Sequence, residues 1–336
     1  MNSLRKILFP FSILYGLITA IRNFLFDKGI LKYYSFDIPI IVVGNLSVGG
    51  TGKTPQIEYL IRLLSNSYQV AILSRGYKRK SKGFILADDN SNAAILGDEP
   101  FQYFKKFKNI QIAVDADRKN GIEKLLNSIT KPQIILLDDA FQHRKVKAGL
   151  YILLTTFNDL YVDDFILPAG NLRESGSGAE RANIIIVTKC PQNLSLEQQN
   201  KIKTKLKIKN SQQLFFSYID YDDFVYSENQ SIEVENIKKE NKLILAGIAK
   251  PKPFFDYLKT ENDAILEFPD HHEFSEKEVE IINQKSENRL IITTEKDYVR
   301  LNSLINTEKL FYLPIKSQFI TNESLFNQII LKFIDQ

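Results

Sequence analysis

The sequence predicts an α/β protein: a doubly wound, mostly parallel sheet, with an apolar helix before it and a second, smaller α/β unit after it. Three observations predict this. Short continuous Val/Ile/Leu runs alternate with segments of helical period, the pattern of a parallel sheet covered on both faces. A glycine-rich turn stands between the first of these runs and a helix. The alternation then stops in a polar stretch and restarts.

The first residues precede the sheet. Arg5 and Lys6 lead into an apolar stretch at 7–21, broken by Pro10, Ser12, Gly16 and Thr19, and Arg22 closes it. A spanning helix takes about 20 apolar residues, so this run is short. A cleaved leader would carry a small-x-small site, and none stands out. Aromatics and leucines flanked by Arg and Lys, with no acid before Asp27, suit a helix lying in the membrane interface. An ordinary core-packing helix is the alternative. Residues 1–27 are set apart as the interfacial helix.

Residues 28–219 form the first α/β domain, with strands predicted at 38–43, 69–73, 110–114, 133–137, 150–154 and 183–187. Helices are predicted at 55–65, 99–107, 118–128 and 196–207. The first strand feeds Ser47-Val48-Gly49-Gly50-Thr51-Gly52-Lys53-Thr54, and Pro55 continues into a helix. Strand, glycine-rich turn and Lys-Thr at a helix start make a phosphate loop, so the domain reads as a P-loop NTPase. Backbone N–H groups of the turn and the helix N-terminus would cradle the phosphates of ATP. Lys53 would reach the terminal phosphates and the Thr54 hydroxyl would ligate Mg²⁺. Ser47 stands where the usual pattern has glycine.

Two acidic pairs follow. The run 134–137 ends in Asp138-Asp139, and a carboxylate at a buried strand tip beside a phosphate loop suits Mg²⁺. Asp138 is the better metal candidate, while Asp139 and His143 would hold metal waters or the phosphate chain; a solvated turn is the bland alternative. In Gly97-Asp98-Glu99-Pro100, Asp98 fits two roles. It would cap the following helix, or it would take the proton of an attacking hydroxyl while Glu99 joins the Mg²⁺ shell.

Of three histidines, His271 and His272 lie in Asp270-His271-His272-Glu273. Adjacent side chains diverge, which argues against a zinc pair. One of them would instead reach across a cleft to a catalytic Asp, or be plain polar surface. The basic run Arg75, Lys78, Arg79, Lys80 is a solvated loop or an anion site. Arg173-Glu174 would add a charged pair to the cleft.

The polar stretch 220–241 reads as a boundary, and residues 220–336 as the smaller α/β domain closing over that cleft. Its strands are predicted at 242–246, 264–268, 290–293 and 309–313, and its helices at 253–260, 275–286 and 322–334. A net charge of +4 is too small to argue for nucleic acid. Cys190, the single cysteine, rules out an internal disulfide and a thiolate cage and reads as inert packing in a reducing compartment.

These motifs together resemble the tetraacyldisaccharide 4′-kinase family, the lipid A kinases of Gram-negative bacteria. The matching stretches are the phosphate loop with Val43-Gly44-Asn45-Leu46 before it, Leu73-Ser74-Arg75-Gly76-Tyr77, Gly97-Asp98-Glu99-Pro100 and Leu137-Asp138-Asp139-Ala140-Phe141-Gln142-His143. Leu167-Pro168-Ala169-Gly170-Asn171-Leu172-Arg173-Glu174, Ala246-Gly247-Ile248-Ala249, Asp270-His271-His272 and Thr293-Thr294-Glu295-Lys296-Asp297 complete the set. The family's loop also lacks the first glycine, which accounts for Ser47. It usually has glycine where this chain has Lys78.

The resemblance implies transfer of the γ-phosphate of ATP to the 4′-hydroxyl of a tetraacylated glucosamine disaccharide 1-phosphate, giving lipid IVA. It implies that Asp98 with His271 assists deprotonation of the hydroxyl and that Lys53 stabilises the transferring phosphoryl group. Thr54, Glu99 and Asp138 would organise Mg²⁺, and Asp139, His143, Arg118, Arg173 and Glu174 map onto other active-site positions. A lipid-linked disaccharide with four acyl chains stays in the bilayer. The enzyme is therefore expected at the cytoplasmic face of the inner membrane, in peripheral contact through its N-terminal helix. The competing reading is a membrane-associated P-loop ATPase acting as a switch or assembly factor. Thr188-Lys189 weakly resembles a GTPase base-recognition segment but lacks the Asp two residues on.

Overall fold

A computed structural model describes residue 5 and residues 7–270, 272–287, 289–306 and 308–336. The chain runs α1 (Phe9–Asp27), β1 (Ile40–Asn45), α2 (Lys53–Leu64), β2 (Val70–Ser74), β3 (Ile85–Leu86), α3 (Ala93–Leu96), α4 (Asp98–Lys106), β4 (Gln111–Val114) and α5 (Arg118–Leu126). Next come β5 (Ile134–Asp138), β6 (Leu150–Thr156), β7 (Ile184–Thr188), α6 (Leu196–Leu206), β8 (Gln213–Tyr221), β9 (Phe224–Tyr226), β10 (Ser231–Glu233) and α7 (Val234–Ile237). Last are β11 (Lys242–Ala246), α8 (Lys252–Leu258), β12 (Ala264–Glu267), α9 (Glu276–Ser286), β13 (Leu290–Thr294), α10 (Glu295–Leu301), β14 (Leu310–Leu313), β15 (Ile315–Phe319) and α11 (Glu323–Ile334).

Among the described residues these strands make a nine-stranded sheet, ordered β15-β8-β7-β6-β1-β5-β2-β4-β3, and a six-stranded one. The larger sheet is parallel except at its ends, where β15 pairs antiparallel with β8 and β3 with β4. Strand alternation feeds two cores. Ile40 and Val42 enter one with Ile135 and Leu137, while Ile41 and Val43 enter the other with Ile134 and Leu136. Ile57, Leu60, Ile61 and Leu64 of α2 and Phe326 and Ile330 of α11 cover the second core. Ile122 and Leu125 of α5 and Ile202 and Leu206 of α6 cover the first. Burial on both faces is why these strands read as unbroken apolar runs.

The first strand ends two residues later than its pattern suggested, so it delivers Asn45, fully buried, to the foot of the phosphate loop. β1 lies between β5 and β6, and the chain after β1 crosses to β2 on the far side of β5. The crevice opens where successive connections leave in opposite directions, at the carboxyl ends of these strands.

The polar stretch expected as a boundary is folded. It supplies β9, β10 and α7, which extend the six-stranded sheet by antiparallel pairing and bury Val225, Val234 and Ile237 in its core. The sequence reading placed no strand at β8 or β15; these pair with each other at the edge of the larger sheet. The chain passes from the large sheet to the small one between Tyr221 and Phe224, and returns between Leu313 and Ile315. The two crossings lie side by side: Asp222 N–H donates to the Pro314 carbonyl at 3.0 Å, and Lys316 pairs with Asp222 at 2.7 Å.

α1 sits on this body with its polar side inward. Ser12 is buried and accepts from the Ala169 N–H at 2.9 Å. Tyr15 donates to the Arg173 carbonyl, Arg22 to the Gln142 carbonyl, and Arg144 pairs with Asp27 at 2.6 Å. Phe11, Ile13, Leu14, Leu17, Ile18, Ile21 and Phe24 are each at least half exposed. This helix is long and apolar enough to cross a membrane, yet only 11% of it is buried against the protein.

Candidate active site

The phosphate loop is turned by its own glycines and braced on two sides. Gly49 and Gly52 take positive φ of 109° and 84°, which only glycine adopts without strain, and this turns the chain from β1 into α2. Arg173 N–H donates to the Leu46 carbonyl, Val48 N–H to the Asn171 carbonyl, and Ser47 bridges Leu172, so the 171–173 segment runs along the loop. From β7, the Thr188 hydroxyl donates to the Thr51 carbonyl at 2.8 Å and Lys189 Nζ to the Gly50 carbonyl at 2.7 Å. Thr54 lies in the first turn of α2.

Lys53 Nζ donates to Asn45 Oδ1 at 3.2 Å and stands 3.7 Å from Asp139. Arg173 grips Asp139 through both guanidinium nitrogens, at 2.8 and 3.2 Å, and also donates to Asn45. Burial works against the charge of Asp139, but Lys53 and Arg173 outweigh it and hold its carboxyl below the usual carboxylate range. Asp138 is different. Burial, with Asp139 and Glu99 nearby, pushes its carboxyl up to about 7; its bond from the Ser74 hydroxyl is long, at 3.4 Å.

Arg118 is buried, and its guanidinium donates to the carbonyls of Asp115 and Asp138 at 2.7 and 3.2 Å, pinning the ends of β4 and β5 together. Burial lowers it to about 10. His143 is lowered to about 4 by burial and by Arg118, so its imidazole is neutral at pH 7. Glu174 is buried and takes hydrogen bonds from Asn23, Gln142 and Arg181. It belongs to the wall between the loop and α1.

Asp98 opens α4 directly after Gly97, whose φ is 92°. The N-cap is Gly97, so Asp98 stands at the first helical position rather than at the cap. Arg300 of α10 pairs with Asp98, Lys296 pairs with Glu99 at 3.1 Å, and Glu295 pairs with Lys106 at 2.6 Å. One short helix of the small sheet thus lies along the helix that carries the acidic pair. Lys106 also pairs with the buried Glu58 of α2 at 2.7 Å, and burial beside Glu58 pushes Glu295 up to about 7.

His271, expected to partner Asp98, lies outside the described residues. His272 stacks on Phe268 and pairs with Glu278 at 2.9 Å within its own sheet. The basic loop after β2 lines a cavity of about 440 Å³ with Arg75, Lys78, Arg79 and Lys82. Cys190 is buried, and burial pushes its thiol up to about 12.

Sequence reasoning missed Asn45, Lys296 and Arg300. Asn45 was readable as the last residue of the strand before the loop. Lys296 and Arg300 are four apart and so share a helix face, but their partners are 197 and 202 residues away.

The residues fit Mg²⁺. That ion keeps several waters and takes one or two carboxylates beside phosphate oxygens, so it needs no all-protein cage. Among the described residues none is present. The buried Asp138, raised by burial and by Asp139 despite Lys53 and Arg118, is the group whose ionised form a cation would favour.

The model of the tetraacyldisaccharide-1-P 4′-kinase family matches residues 4–335. Tetraacyldisaccharide 4′-kinase of Flavobacterium johnsoniae is 67% identical over 336 residues, covering 100% of this chain and 99% of that protein. The same enzyme of Flavobacterium psychrophilum is 64% identical, covering 100% and 98%. A crystal structure of LpxK from Aquifex aeolicus in complex with ATP superposes with a TM-score of 0.81 at 31% identity, covering 98% of this chain and 99% of that one. With a phosphate loop, two acidic pairs and an outward-facing apolar helix in one frame, and a family match along nearly its whole length, the chain belongs to the tetraacyldisaccharide-1-P 4′-kinase family.

Proposed function

We propose that this chain carries out its family's reaction with the residues gathered at the mouth of the large sheet. It is an ATP-dependent kinase that phosphorylates the 4′ position of a tetraacyldisaccharide 1-phosphate in lipid A biosynthesis. The observation that carries the residue assignment is the meeting of Lys53, Asp138 and Asp139 at the phosphate loop, faced by Asp98-Glu99 at the start of α4.

The loop N–H groups and the positive end of α2 bind the phosphate chain of ATP. Lys53 stabilises charge on the transferring phosphoryl oxygens, where water exclusion strengthens its field. Asp139 and Arg173 keep Lys53 in place. Thr54, Glu99 and Asp138 would hold Mg²⁺, which would supply positive charge to the phosphate chain during transfer. Asp98, set on a helix N-terminus, accepts the proton of the 4′-hydroxyl; Arg300 orients its carboxylate. Lys296, paired with Glu99 at 3.1 Å, would orient that carboxylate.

The outward apolar face of α1 supports membrane association through an interfacial helix, and the need for ATP supports the cytoplasmic face of the inner membrane. Residues 28–219 would be the kinase domain. Residues 220–336 would form the smaller domain that closes over the cleft, with its segment 315–336 packed on the kinase sheet.

The test is direct. The protein is incubated with Mg-ATP and tetraacyldisaccharide 1-phosphate in detergent, and a bisphosphorylated lipid is sought. Its absence under conditions that support ATP binding would reject the assignment.

A further inference from the structure

An unbroken chain of hydrogen bonds joins the apolar helix to the phosphate-loop lysine. Asn23 Nδ2 on α1 donates to Glu174 Oε2 at 2.7 Å. Glu174 Oε1 accepts from Gln142 Nε2 at 3.0 Å, and that same amide donates to the main-chain carbonyl of Asn45 at 2.9 Å. Asn45 Oδ1 accepts from Lys53 Nζ at 3.2 Å and from Arg173. The Asn45 amide is held from its other end, donating to the Ser47 carbonyl at 2.6 Å.

Chemistry fixes the direction of the chain. Turned over, the Asn23 or Gln142 amide would set an oxygen against the Glu174 carboxylate. Asn45 and Glu174 are 0% and 3% exposed, so a lost partner is not replaced cheaply by water. A lysine ammonium on a four-carbon stem is mobile by itself. Lys53 is steadied by Asn45 and Asp139, and Arg173 bridges the same two residues.

We propose that Asn45 is the positioning residue of Lys53, and that Asn23 steadies Asn45 through Glu174 and Gln142, so that the seating of the N-terminal helix sets the rate of phosphoryl transfer. This rests on the role given to Lys53 above. The helix then has two separate jobs. Its apolar face meets the lipid, and its Asn23 face supports the phosphate loop.

The test uses the full chain with Asn23→Ala, Asn23→Asp, Asn45→Ala, the Asn23→Ala/Asn45→Ala double variant, and Lys53→Ala. Turnover and KM for Mg-ATP and for the lipid acceptor are measured in detergent. Binding to phosphatidylethanolamine–phosphatidylglycerol vesicles is measured by cosedimentation. Asn45→Ala is expected to lower kcat about 100-fold, the scale on which small misplacements act, and Asn23→Ala about tenfold. Lipid KM and vesicle binding of Asn23→Ala should stay within about twofold, because the apolar face is intact. Asn23→Asp, which sets a second carboxylate against Glu174, should be slower still. The double variant should be no slower than Asn45→Ala, since both cut one chain.

Wild-type kcat in both Asn23 variants overturns the proposal, and so do losses that multiply in the double variant. The Asn23 variants lie on the helix surface away from the cores, so they report even where Asn45→Ala folds poorly. If Lys53→Ala turns over like wild type, the reading of Lys53 falls. If Lys53→Ala is inactive while the Asn23 and Asn45 variants keep wild-type kcat, only the positioning role falls.

Discussion

Asp138 and Asp139 are neighbours in the chain, and their carboxyls are driven in opposite directions. Burial, then Asp139 itself, pushes Asp138 up to about 7. Lys53 and Arg173 overcome the burial of Asp139 and hold it low. Paired titratable groups pushed apart in this way are suited to separate roles: Asp139 is the counter-charge of Lys53 and Arg173, and Asp138 is the one proposed to hold the cation.

The first expectation concerns pH. The Asp138 carboxyl is raised in the fold above its ordinary value of 3.8. Its neutral form therefore favours folding at low pH, and that contribution is lost as pH climbs toward about 7. Glu295, also raised to about 7, acts in the same window. Asp138→Asn leaves Glu295 untouched, so it should stabilise the ligand-free protein at pH 8 by about 1–3 kcal/mol over wild type. The gain should vanish near pH 4. Thermal unfolding at several pH values checks this, and equal pH dependence in both proteins would refute it.

Asp98→Ala should cost turnover about 10²–10⁴-fold, the range for a lost general base, with ATP affinity changed far less. Arg300→Ala, which removes one partner of the Asp98 carboxylate but keeps the carboxylate, should cost less. Steady-state kinetics with an independent ATP-binding assay separates the two effects. A matched loss of ATP binding in Asp98→Ala would make it a structural residue.

Placing glutamate at Leu14, Leu17 and Ile18 should abolish vesicle binding. Each exposed leucine or isoleucine contributes about 1.5–3 kcal/mol when it is buried in an apolar phase. The same triple change should leave unfolding within about 0.5 kcal/mol per site, because these side chains touch solvent. Deleting residues 1–26 should likewise weaken both membrane association and use of the lipid acceptor while the fold survives. Unchanged partition in either variant would defeat the anchor.

Lys106→Met should destabilise the protein by about 3–5 kcal/mol, because it takes the paired cation from the buried Glu295 and leaves the buried Glu58 with Arg62 alone. Urea unfolding measures it. A milder loss is expected from Lys106→Met combined with Glu295→Gln, which removes the carboxylate that lost its cation.

Much of the large sheet was legible because its strands are buried on both faces and its helices show one apolar stripe. β8 and β15 were not, since each is recognisable only beside the other, and about a hundred residues separate them in sequence. Lys53, Asp138 and Asp139 were legible from local spacing: strand tip, glycine turn, helix start. Arg300 was not, because nothing near it in sequence announces Asp98. The apolar helix showed its composition but not its facing. A helix that buries Ser12 and hydrogen-bonds Asn23 while exposing leucines reverses the usual rule, and only the docked structure distinguishes it from a core helix.

The paired crossings at Asp222 and Pro314 have a mechanical consequence. The small sheet is an insertion hung from two adjacent strands, themselves tied by the Asp222–Pro314 hydrogen bond and the Lys316–Asp222 pair. A body held on two neighbouring tethers swings about the line between them and resists twisting. Any movement of α10 relative to α4 is then a rotation like that of a door on its hinge. The ion pairs of Glu295, Lys296 and Arg300 start close to that hinge, because Thr294 pairs with Leu313 just before the crossing.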